Sequence, residues 1–254
     1  MLFRSRTAGL LLETRHQLTV LLGPFLLEGG DELVDPVELV VHPLELGPDV
    51  LVAPVELLGA EVQLVPGPRE ESENEAIRQS EQVFYASHNW QAFFLQGTKT
   101  LAYELWEDLG FRAPDNVIIP CGAGSNVLGC DIGFGELLAA GQVARLPRIF
   151  CVQPENVSPI HAAFEAGADA LQPREWKPTI AEGTAIKRPV RLKPVLDAIR
   201  RSGGGTMAIA EDEIVAALRK LAAMGLYVEP TCATAAAADR KSTRLNSSHA
   251  NISY

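Results

Sequence analysis

Residues 116–129 read Asn-Val-Ile-Ile-Pro-Cys-Gly-Ala-Gly-Ser-Asn-Val-Leu-Gly, and this stretch decides the fold. Asn116 to Ile119 is short and β-branched, as in a buried strand, and a helical pattern of apolar residues runs from Asn126 to Ala140. Small residues form the connection between them, and such residues let the backbone bend sharply and expose its amides. The stretch therefore predicts a strand, a tight turn and a helix.

Strands and helices alternate in the same way throughout residues 59–239. Further strands are predicted at 60–65, 148–152 and 206–209, and further helices at 69–83, 98–109, 159–165, 192–201 and 211–224. Strands that alternate with helices favour a parallel sheet that is covered by helices on both faces. The predicted fold class is α/β.

Two flanking segments differ in composition from this α/β domain. Residues 1–58 are rich in Leu and Val, contain no Lys and are interrupted by prolines, so we expect only short strands or loops, and no signal peptide. Residues 240–254 are basic and rich in Ser and Asn, which predicts a disordered, solvated tail. That tail and the opening Met1 to Ser5 resemble adapter sequence read as gene. We therefore expect a gene fragment, truncated at both ends, in which residues 1–58 are non-native or mistranslated.

Composition limits the possible partners. The chain has 254 residues and a net charge of −10, with no basic face for nucleic acid. No apolar run reaches the roughly 18 residues of a membrane span. The cysteines form no C-x-x-C pair and have no His at ligand spacing, so we expect no metal site and mostly buried, reduced thiols, as in a cytoplasmic protein; they are Cys121, Cys130, Cys151 and Cys232.

The five residues Gly122 to Asn126, here named the glycine turn, are suited to an anion. Unpaired N–H groups and a partial positive charge gather at a helix N-terminus. Ser125 adds a hydroxyl donor, and Asn126 can cap the helix. The turn therefore indicates a phosphate site at the carboxyl edge of a parallel sheet, or else a tight connection that binds nothing. A nicotinamide dinucleotide site is a further alternative, although Val127 stands where G-x-G-x-x-G requires its third Gly.

Three further segments accompany the glycine turn: Tyr85 to Trp90 leading into Gln96 to Thr100, then Thr179 to Pro189, then Val228 to Ala236. In this order the four blocks resemble the threonine synthase group of pyridoxal-phosphate enzymes and, more loosely, the serine/threonine dehydratases. The resemblance covers residues 59–239. It implies the tryptophan synthase β-like fold (fold type II) and pyridoxal 5'-phosphate as cofactor.

The resemblance also implies roles for single residues. The glycine turn grips the cofactor phosphate, Gly183 lies beside the pyridine ring, and Glu229 is an acidic residue near the ring. The implied phosphate contacts are Gly122, Ala123, Gly124, Ser125 and Asn126. Less directly, Ser87, His88 and Asn89 fall on the substrate side. From the residues alone, Glu229 is equally a carboxylate that stabilises a helix start, His88 a surface histidine and Lys99 a solvated helix residue.

The implied activity is that of a lyase in threonine biosynthesis, which converts O-phosphohomoserine to threonine and phosphate. The family needs a Schiff-base lysine in its N-terminal third, but residues 1–98 contain no lysine. We therefore assign no catalytic residue and expect this chain to be inactive. The alternatives are a serine/threonine dehydratase-like enzyme and a non-catalytic phosphate-binding α/β fragment. The expected partners are a small-molecule amino-acid substrate and, by analogy, a second copy in a homodimer.

Overall fold

The computed structural model describes the backbone of residues 39–41, 62–67 and 69–247 and the side chains of residues 63–67 and 70–239. The chain divides into two compact units, Met1–Trp90 and Gln91–Tyr254. This division differs from the boundary at residues 58 and 59 that composition suggests. Apart from residues 39–41, the predictions for residues 1–58 lie outside the described residues, as do those for residues 248–254.

The described part of the first unit contains two parallel strands and a helix. β1 spans Leu39–Val41, β2 spans Val62–Leu64, and the two pair with Leu39 opposite Val62. α1 spans Arg69–Gln79 and ends before the predicted residue 83. The Ser80 hydroxyl donates to the Ile77 carbonyl at 2.6 Å, a local hydrogen bond that competes with continuation of the helix.

The second unit alternates helices and strands as the sequence predicts. Its elements in chain order are α2 (Phe94–Thr98), α3 (Thr100–Asp108), β3 (Asn116–Pro120), α4 (Ser125–Ala139), β4 (Arg148–Pro154), α5 (Pro159–Glu165), α6 (Leu192–Ser202), β5 (Gly205–Ile209), α7 (Glu211–Ala223) and α8 (Pro230–Ser247).

The three strands of this unit form a parallel sheet in the order β3-β4-β5. Ile119 lies opposite Cys151, and Val152 lies opposite Met207. Because the strands are parallel, their carboxyl ends meet at one edge of the sheet, where ligands of such folds bind. The glycine turn leaves the sheet at that edge.

Helices cover both faces of the sheet, which confirms the predicted α/β architecture. Alternate strand residues point to opposite faces. Ile119 and Cys151 pack in one core cluster with residues of α4, α5 and α6, and Val152 and Ile209 pack in another with residues of α7 and α8. Of the four cysteines, Cys232 is exposed and the other three are buried. Burial raises the pKa of the Cys130 thiol to about 12, so this thiol stays protonated.

The carboxyl-terminal helix corrects one expectation. α8 runs from Pro230 to Ser247, whereas a solvated tail was predicted from Arg240 onward. Neither Gly nor Pro occurs between Asp239 and Ser247, so nothing in this part of the sequence stops the helix, and Arg, Lys and Leu are good helix formers. Among the helices of the described residues, none combines the length and hydropathy needed to cross a membrane.

Candidate functional site

The glycine turn is held in one conformation by the strand before it and the helix beside it. The N–H of Cys121 donates to the Val152 carbonyl at 2.8 Å, so the pairing of β3 with β4 extends to the residue before the turn. Gly124 has φ +92°, and a Cβ there would lie 2.3 Å from Cγ2 of the buried Val195. Only glycine satisfies both the positive φ and the lack of space.

The amides of the turn are available to a ligand. Within the described part of the chain, the N–H groups of residues 122–126 donate to no protein acceptor. Gly124 is the N-cap of α4, and the first bond of the helix is Leu128 N–H to the Gly124 carbonyl at 3.0 Å. The expectation that Asn126 caps the helix is therefore wrong, because α4 begins one residue earlier and Asn126 lies exposed in its first turn.

Gly183 and the start of α8 lie next to the glycine turn. A Cβ on Gly122 would be 3.3 Å from the Gly183 carbonyl oxygen, and a Cβ on Gly183 would be 2.8 Å from Oγ1 of Thr231. Glu229 directly precedes α8, its side chain is exposed, and its carbonyl accepts the Ala233 N–H at 3.2 Å. Three of the four sequence blocks therefore meet at the carboxyl edge of the sheet.

The loop that carries Gly183 is fastened by its own hydrogen bonds. Residues 182–184 form a single 3-10 turn, and Thr184 Oγ1 donates to the Ala181 carbonyl at 2.9 Å. The Ile180 N–H donates to Oε2 of Glu211, the first residue of α7, at 2.9 Å. The loop is thus fixed to the helix that follows β5, which keeps Gly183 against Gly122.

The block Gln96 to Thr100 packs against α4. Thr98 Oγ1 donates to the Ser125 carbonyl at 3.2 Å. A Cβ on Gly129 would lie 2.7 Å from the Thr98 backbone, and one on Gly133 would lie 2.7 Å from the Lys99 carbonyl. Two glycines one turn apart therefore let α2 and the start of α3 approach the helix whose N-terminus carries the glycine turn.

Lys99 is bound by a carboxylate on the flank of α4. Its Nζ donates to Glu136 Oε1 at 2.9 Å, and the Tyr103 hydroxyl donates to the same carboxylate. Glu136 lies about three turns beyond Ser125, roughly 16 Å at the rise of an α-helix. Hydrogen bonding to Glu136 raises the pKa of Lys99, so this ammonium is held protonated away from the glycine turn. Lys99 is an ion-paired residue and not a freely solvated one.

This ion pair predicts a pH dependence. Hydrogen bonds from Tyr103 and then Lys99 lower the pKa of Glu136. The resulting stabilisation is present above the ordinary carboxyl pKa of about 4.3 and is lost as the pH falls through the lower folded pKa. Glu136→Gln should therefore melt below the wild type at pH 7, and the two melting temperatures should converge once the pH falls below the lowered pKa of Glu136. In a Lys99→Met background the difference at pH 7 should shrink; an unchanged difference would contradict the pairing.

Ser87, His88 and Asn89 belong to the first unit. They lie in a turn in which the Trp90 N–H donates to the Ser87 carbonyl at 3.0 Å. The side chain of His88 is exposed, and those of Ser87 and Asn89 are half-buried. The rings of Tyr85 and Trp90 lie 6.4 Å apart. The substrate-side role of the three residues stays a prediction.

Sequence reasoning missed one buried polar residue at this edge. Gln153 on β4 is fully buried and hydrogen-bonded to the Cys121 carbonyl, directly before the glycine turn. A signal exists in the sequence, because Gln153 follows the apolar run Ile149 to Val152, and a buried polar side chain needs partners.

The residues at this edge fit a phosphate ester. The donors are backbone amides at a helix N-terminus, the binding mode that such anions favour. A Cβ at Gly122 would lie 3.1 Å from Cγ1 of Ile186 and one at Gly124 would lie 2.3 Å from Cγ2 of Val195, so both positions need glycine to keep this backbone conformation. Among the described residues, no group of three or more His, Cys, Asp or Glu is arranged to hold a metal ion.

Comparison with known proteins identifies the family of this chain. Residues 46–250 match the sequence model of the pyridoxal-phosphate dependent enzymes. The chain is 34% identical over 163 residues to the threonine synthase of Methanosarcina acetivorans, covering 64% of this chain and 40% of that protein. It is 35% identical over 162 residues to the threonine synthase of Methanocaldococcus jannaschii, covering 63% and 40%. The chain thus spans about two fifths of the length of these curated relatives.

The fold is shared with solved structures. A fungal L-serine ammonia-lyase from Rhizomucor miehei matches with a TM-score of 0.60 and 20% identity, covering 78% of this chain and 60% of that chain. At this identity the likeness concerns the fold alone. The resemblance seen in the four sequence blocks and the predicted fold class are both confirmed.

Proposed function

The chain belongs to the family of pyridoxal-phosphate dependent enzymes, and we propose that its glycine turn binds the phosphate of that cofactor. The observation that carries this proposal is the set of amides at residues 122–126, which have no protein acceptor in the described part of the chain and lie at the start of α4. Pyridoxal phosphate is the family's cofactor, as the sequence predicts.

Different residues of the chain would contact different parts of the cofactor. The amides of Gly122 to Asn126 would bind the phosphate, and Ser125 would add its hydroxyl. Gly183, which has no side chain, would leave room beside the ring, and Glu229 supplies an exposed carboxylate before α8. When bound, pyridoxal phosphate supplies an electron sink for carbanion charge.

The activity we propose for the parent enzyme is conversion of O-phosphohomoserine to threonine and phosphate. The two relatives at 34% and 35% identity are named threonine synthase. A small-molecule amino-acid substrate, a cytoplasmic location and a homodimer accompany this proposal.

We propose further that this chain binds the cofactor without turning over substrate. Residues 1–98 contain no lysine, and Lys99 is ion-paired with Glu136. A raised pKa makes an amine a poorer nucleophile at neutral pH. The glycine turn is thus present, whereas the N-terminal lysine that the family resemblance implies has no counterpart in residues 1–98.

A ligand pair that differs only in phosphate tests the binding. Pyridoxine 5'-phosphate and pyridoxine lack an aldehyde, so surface lysines do not react with them. We expect isothermal titration calorimetry to show at least about a tenfold preference for the phosphate ester, since charge-assisted hydrogen bonds contribute roughly 1.5–3 kcal/mol each. Equal affinity would overturn the proposed phosphate site.

Borohydride reduction tests the proposed inactivity. After incubation with pyridoxal phosphate, reduction and peptide mass spectrometry should show no lysine labelled stoichiometrically. Phosphate release from O-phosphohomoserine and 2-oxo acid formation from serine or threonine should both stay at background. A single fully labelled lysine would contradict the inactivity. In that case phosphate release from O-phosphohomoserine would indicate a synthase, and 2-oxo acid formation would indicate a dehydratase.

A further inference from the structure

Gln153 is the residue of β4 whose environment least matches its chemistry. Its side chain is fully buried, in a strand whose neighbouring buried residues Cys151 and Val152 are apolar or thiol. A buried carboxamide is unfavourable unless its hydrogen-bonding capacity is used. Its partners therefore indicate what the residue does.

Gln153 joins three backbone groups from two separate segments of the chain. Its Nε2 donates to the Cys121 carbonyl at 3.1 Å. Its Oε1 accepts the N–H groups of Ile160 at 2.9 Å and His161 at 3.1 Å, in the first turn of α5. Because only the oxygen can accept these two bonds, the partners fix the orientation of the amide.

The bond to Cys121 constrains the peptide from which the glycine turn departs. The Cys121 N–H donates to Val152 at 2.8 Å, and the Cys121 carbonyl accepts from Gln153. Both polar groups of this residue are therefore held by β4. The direction of the Cys121 carbonyl sets the orientation of the next amide, that of Gly122, because the peptide unit is planar.

The other end of the Gln153 amide is equally well anchored. Ser158, the N-cap of α5, provides no side-chain cap, so Oε1 of Gln153 satisfies two of the helix's unpaired donors. The ring of His161 is in turn bonded through Nδ1 to Thr206 Oγ1 of β5 at 2.9 Å. The carboxamide thus connects the first turn of α5 to the residue that precedes the glycine turn.

We propose that Gln153 is a positioning residue for phosphate binding: its carboxamide fixes the Cys121 peptide so that the amides of the glycine turn point toward the ligand. This role rests on the proposed function of the turn. It assigns to Gln153 no contact with substrate or cofactor. Its loss should weaken recognition of the phosphate group and leave recognition of the rest of the ligand unchanged.

The test uses the affinity ratio of pyridoxine 5'-phosphate to pyridoxine in the full chain. Gln153→Met keeps the length of the side chain and removes its hydrogen bonds. The ratio should fall about fivefold to tenfold, the order expected for a lost hydrogen bond, while pyridoxine affinity stays constant. General loosening of the fold would lower both affinities.

Ser202→Ala is the matched control. The Ser202 hydroxyl likewise joins backbone groups, accepting from Ile149 N–H at 3.0 Å and Gly204 N–H at 3.1 Å, at the opposite edge of the sheet. This variant should lower the melting temperature and leave the ratio unchanged. Should Gln153→Met fail to fold, Gln153→Asn, whose side chain is one methylene too short to span both sets of partners, is judged by the same ratio.

The outcomes separate the two proposals. A wild-type chain that does not prefer the phosphate ester overturns the proposed function and with it the positioning role. A wild-type preference that persists in the Gln153 variant overturns the positioning role alone. Equal loss of the ratio in the Gln153 and Ser202 variants also overturns it, because the effect would then be a general one.

Discussion

Gly124→Ala is expected to abolish the preference for the phosphate ester and to lower the free energy of unfolding by about 3 kcal/mol. Part of this loss, roughly 1–2 kcal/mol, is the cost of a left-handed backbone for a residue with a Cβ. The rest arises because that Cβ would lie 2.3 Å from Cγ2 of Val195, a contact that moves either α6 or the turn. Urea denaturation measures the stability, and calorimetry measures the binding.

Gly141→Ala separates the two causes. Gly141 also has a positive φ, +70°, but a Cβ there would meet nothing within 4 Å, so its substitution should cost only the backbone strain and leave binding intact. In a Val195→Ala background, Gly124→Ala should be less destabilising, since the contacting methyl group is gone. Equal costs at Gly124 and Gly141 would show that the Val195 contact is unimportant.

Alanine substitutions at two glycines of α4 should change the free energy of unfolding in opposite directions. Gly129→Ala places a Cβ 2.7 Å from the Thr98 backbone and should destabilise the chain by about 2–3 kcal/mol, because backbone cannot move aside as a flexible side chain does. Gly135→Ala meets nothing within 4 Å and should stabilise it by about 0.5–1 kcal/mol through helix propensity. Thermal melts of both variants measure the difference.

The same pair tests whether α2 braces the phosphate site. Gly129→Ala pushes against Thr98, whose hydroxyl donates to the Ser125 carbonyl, so it should also weaken binding of pyridoxine 5'-phosphate. Gly135 lies farther along α4, and its substitution should leave binding unchanged. If Gly129→Ala proves as stable as Gly135→Ala, the close approach of α2 to α4 is wrong.

Local patterns predicted most of the second unit. The helix expected at 126–140 is observed at Ser125–Ala139, and the strand expected at 148–152 continues to Pro154. The strand was expected too short because Gln153 and Pro154 end the apolar run. Pro154, at the last position, still lies in register with Ile209 of β5, because a proline removes only its own donor from the ladder. Gly110, which follows the C-cap of α3, has φ +69°, the left-handed conformation in which a glycine commonly closes a helix.

The glycine turn could be recognised from the sequence, but its surroundings could not. Small residues between a strand and a helix predict a bend and exposed amides whatever the rest of the chain does. The contact between Gly124 and Val195 and the hydrogen bond between Gln153 and Cys121 join residues more than 25 positions apart in the sequence. No local pattern predicts such contacts. The end of α8 differs from the prediction for a related reason: the composition changes at Arg240, but the helix continues to Ser247.

Because the donors of the turn are main-chain amides, they also determine how binding should depend on pH. None of the five residues Gly122 to Asn126 carries an ionisable side chain, so acid or base does not switch this binding surface on or off. The charge that changes near neutrality is on the ester, whose second ionisation lies near pH 6. The pH dependence of binding at the turn would therefore reflect the ionisation of the phosphate ester and not that of residues 122–126.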